Sequence, residues 1–308
     1  MKLVTYDPGM GPRIGALQEG RVVDVRSAVA AWLTRQGRPD PAVEAEYHVP
    51  SDMTAFLARS GGDLGMATRA VSEAGREAGL DASAVRMLSP VPRPGKILAV
   101  GRNYGAHAAE GGLARQEEPR MLAKVPSSVI GPGAPIPRPA RVTKLDWEVE
   151  LAVVIGRTMK DVSEAEALDH VAGYTILNDV SAREFQFDVS PPQTTFAKSM
   201  DGFTPMGPVL VTRDELTDPG DLELRCWVNG DLMQEGSTHD LIFPVPYILS
   251  FITRYVTLEP GDVVATGTPA GVGHFRTPPV YLKPGDLVRM EIPGIGVLEN
   301  PVTGSDRT

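Results

Sequence analysis

Asp146-Trp147-Glu148-Val149-Glu150-Leu151-Ala152-Val153-Val154-Ile155-Gly156 begins with polar alternation and ends wholly apolar. A short apolar run closed by Gly predicts a strand. Side chains two apart on a strand share a side. Glu148 and Glu150 therefore project together, while Val149 and Leu151 face the opposite layer. Two neighbouring carboxylates repel each other, so solvent, a basic partner, a shared proton or a cation must compensate. A solvated strand face is the simple account of an isolated Glu-x-Glu. The apolar continuation reads as buried on both faces and argues against it.

Around this strand lie others of the same kind. KILAV (96–100), GYTILNDV (173–180), GPVLV (207–211), LELRCWVNG (222–230), DVVATG (262–267) and DLVRMEI (286–292) are mostly bounded by Gly, Pro, Asp or Asn. The turns Glu259-Pro260-Gly261-Asp262 and Lys283-Pro284-Gly285-Asp286 place Pro then Gly at the central positions, as a type II turn demands. Toward the N-terminus, KLVTYD (2–7), RIGALQ (13–18) and RVVDV (21–25) read as strands, followed by helical stretches over 41–59 and 63–79. SPVPRPG (89–95) reads as a stiff linker. The expectation is a β-rich α+β chain with a small N-terminal α+β domain, residues 1–90, and a larger domain, residues 91–308.

The 308 residues, 42% hydrophobic and 22% charged, suffice for a buried core. A net charge of -9 disfavours nucleic acid and anionic membrane as partners. An anionic substrate would need local positive charge from Arg, Lys or a metal. One cysteine, Cys226, cannot form an internal disulfide, and MKLVTYDPGMG lacks the apolar run of a signal peptide. Pro244, Pro246 and Arg254 interrupt the most apolar stretch, 241–258, which reads as a buried helix starting near Pro246. A cytoplasmic protein is expected.

Several further groups could carry chemistry. Asp179 follows the apolar run GYTIL at a strand end, and three oxygen ligands with open positions suit Mg²⁺ or Mn²⁺. Zinc is not favoured: His48, His107, His170, His239 and His274 have no close paired spacing. His107 and Glu110, three apart in GRNYGAHAAE (101–110), share a helix face, and a carboxylate-held imidazole is a usable general base. The plain alternative is a surface His. Gly111 and Gly112 end that helix and could hinge a lid over the metal. Arg102 and Tyr104, in the turn before it, are expected substrate contacts. Lys198, set among apolar residues, either neutralises an oxyanion or pairs with Asp201 or another acid. Arg183 and Gln186 would share one helical face toward the metal. The glycine-rich loop 266–273, with Thr268, could hold a carboxylate or be a tight structural turn; it lacks a Walker lysine.

GRNYGAHAAEGG (101–112), PSSVIGPGAPIPRP (126–139), DWEVELAVVIGR (146–157), GYTILNDVSAREFQ (173–186), FAKSMDGFTPMGPVL (196–210) and LEPGDVVATGTPAGVG (258–273) together resemble the fumarylacetoacetate hydrolase family, in the family's order. The resemblance covers Lys96 to the C-terminus. It implies a mixed β-roll, usually a homodimer, in which Glu148, Glu150 and Asp179 hold Mg²⁺ or Mn²⁺, with Ca²⁺ possible in crystals. It matches Lys198 to an active-site lysine, Arg183 and Gln186 to site-lining positions, and Thr268 to a contact with the substrate's carboxylate. His107 and Glu110 match a lid dyad of the acylpyruvase-like branch. The expected substrate is a small 2-oxo acid. The expected reaction is hydrolysis of a C–C bond in a 2,4-dioxo acid, giving pyruvate and a carboxylic acid, with His107 and Glu110 activating water. Oxaloacetate decarboxylation and isomerisation or hydration of an unsaturated 2-hydroxy acid use the same apparatus, and family alone does not fix the reaction. A non-catalytic oxo-acid binding protein is the remaining alternative. The acyl group is expected to be read by residues 111–124 or near Phe187 and Val189.

Overall fold

The strand Val149–Ile155 is buried along its whole length. Val149, Leu151, Val153 and Ile155 pack into one hydrophobic cluster, Ala152 and Val154 into a second. The two-residue period of a strand, with apolar side chains on both faces, drives this sandwiching. The computed structural model describes residues 1–112 and 116–304. Around that strand a mixed sheet of twelve strands forms among the described residues. Its main path runs Leu80–Asp81, β3 (Arg21–Asp24), β2 (Arg13–Gln18), β1 (Lys2–Asp7), Thr204–Thr212, Val171–Asn178, Val149–Ile155, Val263–Ala265, Ile97–Gly101, Arg120–Lys124. Val263–Ala265 and Ile97–Gly101 are parallel; both flanking pairs are antiparallel. A second sheet of five strands runs Asp231–Ser237, Glu223–Val228, Leu287–Ile292, Gly296–Gly304, Ile136–Arg138. The architecture is the expected β-rich α+β fold.

Both Pro-Gly turns form as their sequences demand. Gly261 and Gly285 take φ of 83° and 95°, and the amides of Asp262 and Asp286 donate to Glu259 O and Lys283 O. The helix Val245–Tyr255 carries Pro246 in its first turn.

The N-terminal region differs from its reading in three respects. A helix, α1 (Val25–Arg35), follows β3 directly; buried, β-branched Val25 had read as the end of the strand. The helical stretch over 41–59 is two helices, α2 (Pro41–His48) and α3 (Met53–Ser60). They part around Val49, which precedes Pro50 and is thereby steered away from helical backbone. The stretch over 63–79 is helical only in α4 (Gly65–Ala74), stopped by Gly75 at φ 67°. The proline-rich segment 89–95 is packed rather than free: Ser89, Pro90 and Val91 are buried, and Thr5 Oγ1 donates to Pro90 O at 2.7 Å. Across it the sheet continues, with Leu3 of β1 opposite Leu210. Residues 1–90 and 91–308 thus share one sheet.

Asp24 joins β3 to α1. It caps the helix by accepting from Ser27 N at 2.7 Å, and it accepts from Arg13 Nε at 2.6 Å and Tyr6 Oη at 2.7 Å. Burial works to raise its pKa, but Arg13 and the Ser27 amide outweigh it and hold the carboxyl at about 2. A depressed carboxyl pKa stabilises the fold above its unfolded value near 4, and that stability is lost as pH falls toward 2. Discounted for partial exposure, this amounts to about 1–2 kcal/mol at neutral pH. Asp24→Asn should lower stability in urea by about that amount at pH 7 and flatten the decline between pH 4 and 2. An acid decline identical to the wild type would mean that Asp24 does not carry it.

Candidate active site

The antiparallel ladder sets Val149 opposite Asn178 and Glu150 opposite Leu177. The Asp179 amide continues it, donating to Glu148 O at 2.9 Å. Asp179 therefore stands across from Glu148, and cross-strand partners point to one face. Glu148, Glu150 and Asp179 meet there, each 5% exposed or less, with one carboxylate oxygen of each within 4.8 Å of the others. The sequence had named all three.

Charge around the triad is unbalanced. Burial, then the neighbouring Asp179 and Glu148 carboxylates, push the Glu150 pKa well above its ordinary value, against the Gly267 amide that donates to Glu150 Oε2 at 2.7 Å. Glu148 is likewise raised by burial, but Lys198 and Arg183 overcome that and hold it low. Lys198 Nζ donates to Glu148 Oε2 at 2.9 Å, Asp179 Oδ2 at 2.7 Å and Ser181 Oγ at 2.8 Å. Its partners are therefore two acids of the triad and not Asp201. Burial opposes its charge, yet Asp179 and Glu148 raise its pKa. Opposite it lies Lys124, which sequence reasoning missed. Its Nζ donates to Asp179 Oδ1 at 2.6 Å, to Phe203 O at 3.0 Å and to Lys198 O. Burial is the main cause that lowers its pKa. Four buried carboxylates (Asp146, Glu148, Glu150, Asp179) thus face three buried cations (Lys124, Arg183, Lys198). All-oxygen donors with surplus negative charge fit a divalent cation. Glu148, Glu150 and Asp179 are the residues that could hold one.

Asp146 is the second residue the reading passed over. Fully buried, it accepts from Arg183 Nε at 2.8 Å, Gly273 N at 2.7 Å and His274 N at 2.9 Å. It fastens the glycine-rich loop to the arginine of the site. Gly273 has no room for a side chain there: a Cβ would lie 2.0 Å from Val280 O. Arg183 Nη1 donates to Gln186 Oε1 at 2.8 Å, so the expected shared face exists. Arg183 Nη2 lies 2.7 Å from Glu148 Oε1 as an ion pair. Thr268 also lines the cleft. Its hydroxyl donates to Val149 O at 2.9 Å and accepts from Gln234 Nε2 at 2.8 Å, so the proton expected for a substrate is already committed.

His107 sits on α5 (Gly105–Glu110), 8% exposed, and lines the cleft with the triad, Lys198 and Phe275. Its Nδ1 lies 2.7 Å from Glu110 Oε1, and Glu110 Oε2 accepts from Gly271 N at 2.9 Å. The carboxylate, set behind the ring, ties α5 to the glycine-rich loop. With Nδ1 engaged by Glu110, Nε2 is the ring nitrogen left for a ligand in the cleft. Arg102 lines the cleft, at φ 61° in the turn before α5. Tyr104 is buried, and among the described residues its hydroxyl has no hydrogen-bond partner. Phe187 lines the cleft and stacks on His274. Of the expected lid segment, Leu113, Ala114 and Arg115 lie outside the described residues.

Comparison with known proteins agrees with this geometry. The family model for the fumarylacetoacetate (FAA) hydrolase C-terminal region matches residues 96–303. A mitochondrial oxaloacetate tautomerase of Xenopus laevis is 45% identical over 223 residues, 72% of this chain and 70% of that protein. A fumarylacetoacetate hydrolase structure from psychrophilic Exiguobacterium antarcticum superposes with a TM-score of 0.81 at 37% identity, covering 99% of this chain and all of that one. Maleylpyruvate hydrolase from Sphingobium sp. SYK-6, in complex with manganese(II) ion and pyruvate, gives 0.77 at 30% identity, covering 99% and 100%. With the fold, the acidic triad and two thirds of the sequence in agreement, this chain belongs to the fumarylacetoacetate hydrolase family.

Proposed function

We infer that this chain is a divalent-cation-dependent enzyme that interconverts the keto and enol forms of oxaloacetate or a close 2-oxo acid. The observation that carries the reading is a braced base, His107, facing the cleft of a buried acidic triad, in a chain 45% identical to an oxaloacetate tautomerase. A Mg²⁺ or Mn²⁺ ion held by Glu148, Glu150 and Asp179 would supply Lewis-acid stabilisation of enolate charge. His107 Nε2 takes the proton from C3 of the 2-oxo acid, and Glu110 stabilises the imidazolium that results. Lys198 and Arg183 add positive charge where the 2-oxo oxygen becomes negative. Return of a proton to that oxygen completes the enol; the reverse sequence restores the ketone.

The hydrolysis expected from the sequence becomes the second reading. It is supported by the maleylpyruvate hydrolase structure and by the same dyad, which can activate water as readily as it can accept a proton from carbon. Decarboxylation of oxaloacetate would use the same charges without a base. The homodimer and cytoplasmic residence remain part of the proposal; the Xenopus laevis relative is named mitochondrial.

The test uses metal-free protein restored with Mg²⁺ or Mn²⁺. Decay of the oxaloacetate enol band and release of pyruvate are followed, with acetylpyruvate in parallel. Cation-dependent loss of the enol without CO₂ is expected, falling about 100-fold or more in His107→Ala. Glu110→Gln should lose roughly tenfold, since the ring keeps its place but not its charge partner. Cleavage of acetylpyruvate alone would establish the hydrolase instead. Release of CO₂ at an undiminished rate in His107→Ala would establish the decarboxylase.

A further inference from the structure

Arg120 and Arg102 both line the cleft of the acidic triad, and among the described residues neither is ion-paired with an acid. Arginines facing solvent are common. These two stand side by side, for Arg120 pairs with Gly101 across the ladder and Arg102 follows Gly101 directly. Arg120 extends over Gly101: a Cβ there would lie in ordinary contact with Arg120 Cδ at 3.8 Å and press on Leu122 Cδ2 at 3.3 Å. Burial, then the nearby Arg120 charge, lower the Arg102 pKa, as expected of like charges without a counterion.

The strand Arg120–Lys124 explains the placement. Its even-numbered residues share one face. Lys124 grips Asp179 at the deep end, Leu122 lines the middle and Arg120 stands at the mouth. Four residues of strand span about 13 Å. Phe275 joins Leu122 as apolar lining of the cleft. The cleft therefore has an acidic, cation-suited floor, an apolar middle and a cationic rim.

We propose that Arg120 and Arg102 form a clamp for a second carboxylate, so that the site selects 2-oxo acids carrying a terminal carboxylate on a short apolar spacer. Oxaloacetate is the shortest member of that class. Planar guanidinium groups match a carboxylate with paired hydrogen bonds, and an uncompensated pair is ready to receive one. The clamp rests on the 2-oxo acid reading of the triad but not on the reaction that follows.

Calorimetric titration of the Mn²⁺-loaded full chain tests it with matched acids: 2-oxoglutarate against 2-oxopentanoate, and 2-oxoadipate against 2-oxohexanoate. The wild type should bind at least one dicarboxylate on the order of tenfold to a hundredfold more tightly than its partner. Arg120→Gln should reduce that ratio to within about threefold of unity, and Arg120→Lys should leave an intermediate ratio. Equal binding of both acids of each pair by the wild type, or a ratio unchanged in Arg120→Gln, overturns the clamp. Binding of none of the four acids overturns the 2-oxo acid reading and the clamp with it. Arg120 is exposed on an edge strand, so the variant should fold as the wild type does, which its thermal unfolding checks.

Discussion

Three carboxylates pressed together out of water are the constraint on which the rest of the site depends. Glu148 and Glu150 share a face because a strand repeats every two residues, and Asp179 joins them because the ladder sets it opposite Glu148. Their strands are buried on both sides by Val, Ile, Leu and Ala, so water cannot screen the repulsion. The surroundings answer with Lys124 on one oxygen of Asp179, Lys198 on the other, Arg183 beside Glu148 and a glycine amide at Glu150. Removing a single partner from such a cluster leaves a buried charge uncompensated, which costs several kcal/mol.

That electrostatic demand also shapes the backbone around it. The glycine-rich loop turns its amides toward acids: Gly267 to Glu150, Gly271 to Glu110, Gly273 to Asp146. One loop thereby braces Glu150, the Glu110 partner of His107 and the Asp146 partner of Arg183 together. Buried polar groups without partners are expensive, and here they are paired with one another rather than with solvent. Asn103 contributes in the same way, its side chain bonding Thr266 O, Phe243 O and Phe243 N and so holding the turn that carries Arg102. The site is a network in which each of these acids has a structural partner in the loop.

The triad was legible in the sequence because its signal is local: a Glu-x-Glu on a strand, and an Asp closing an apolar run. Lys198 stood out by its apolar neighbours, and the His107–Glu110 spacing by helical periodicity. Lys124 was hidden because a lysine ending RMLAK reads as an ordinary solvent-facing strand residue. Only the ladder with Ile97–Gly101 brings it to Asp179. Asp146 and Gln234 were hidden for the same reason, their partners lying 37 and 34 residues away in the chain. Tyr104 is buried beside Arg102 and His107, which line the cleft, and proximity in sequence gave no hint of that burial. The pairing of β1 with Thr204–Thr212 has no local signature at all, which is why residues 1–90 read as a separate unit. Sequence patterns give the face of a strand; they do not give its neighbour.

The surplus negative charge of the triad matters most if it holds a divalent cation. Titrating Mn²⁺ into metal-free protein by calorimetry, with Glu150→Gln beside the wild type, measures it. One ion per chain is expected to bind the wild type and to be lost in the variant. The variant, relieved of carboxylate repulsion, should unfold at no lower temperature than the metal-free wild type. Mn²⁺ binding as tight in Glu150→Gln as in the wild type, or none in either, would contradict the account.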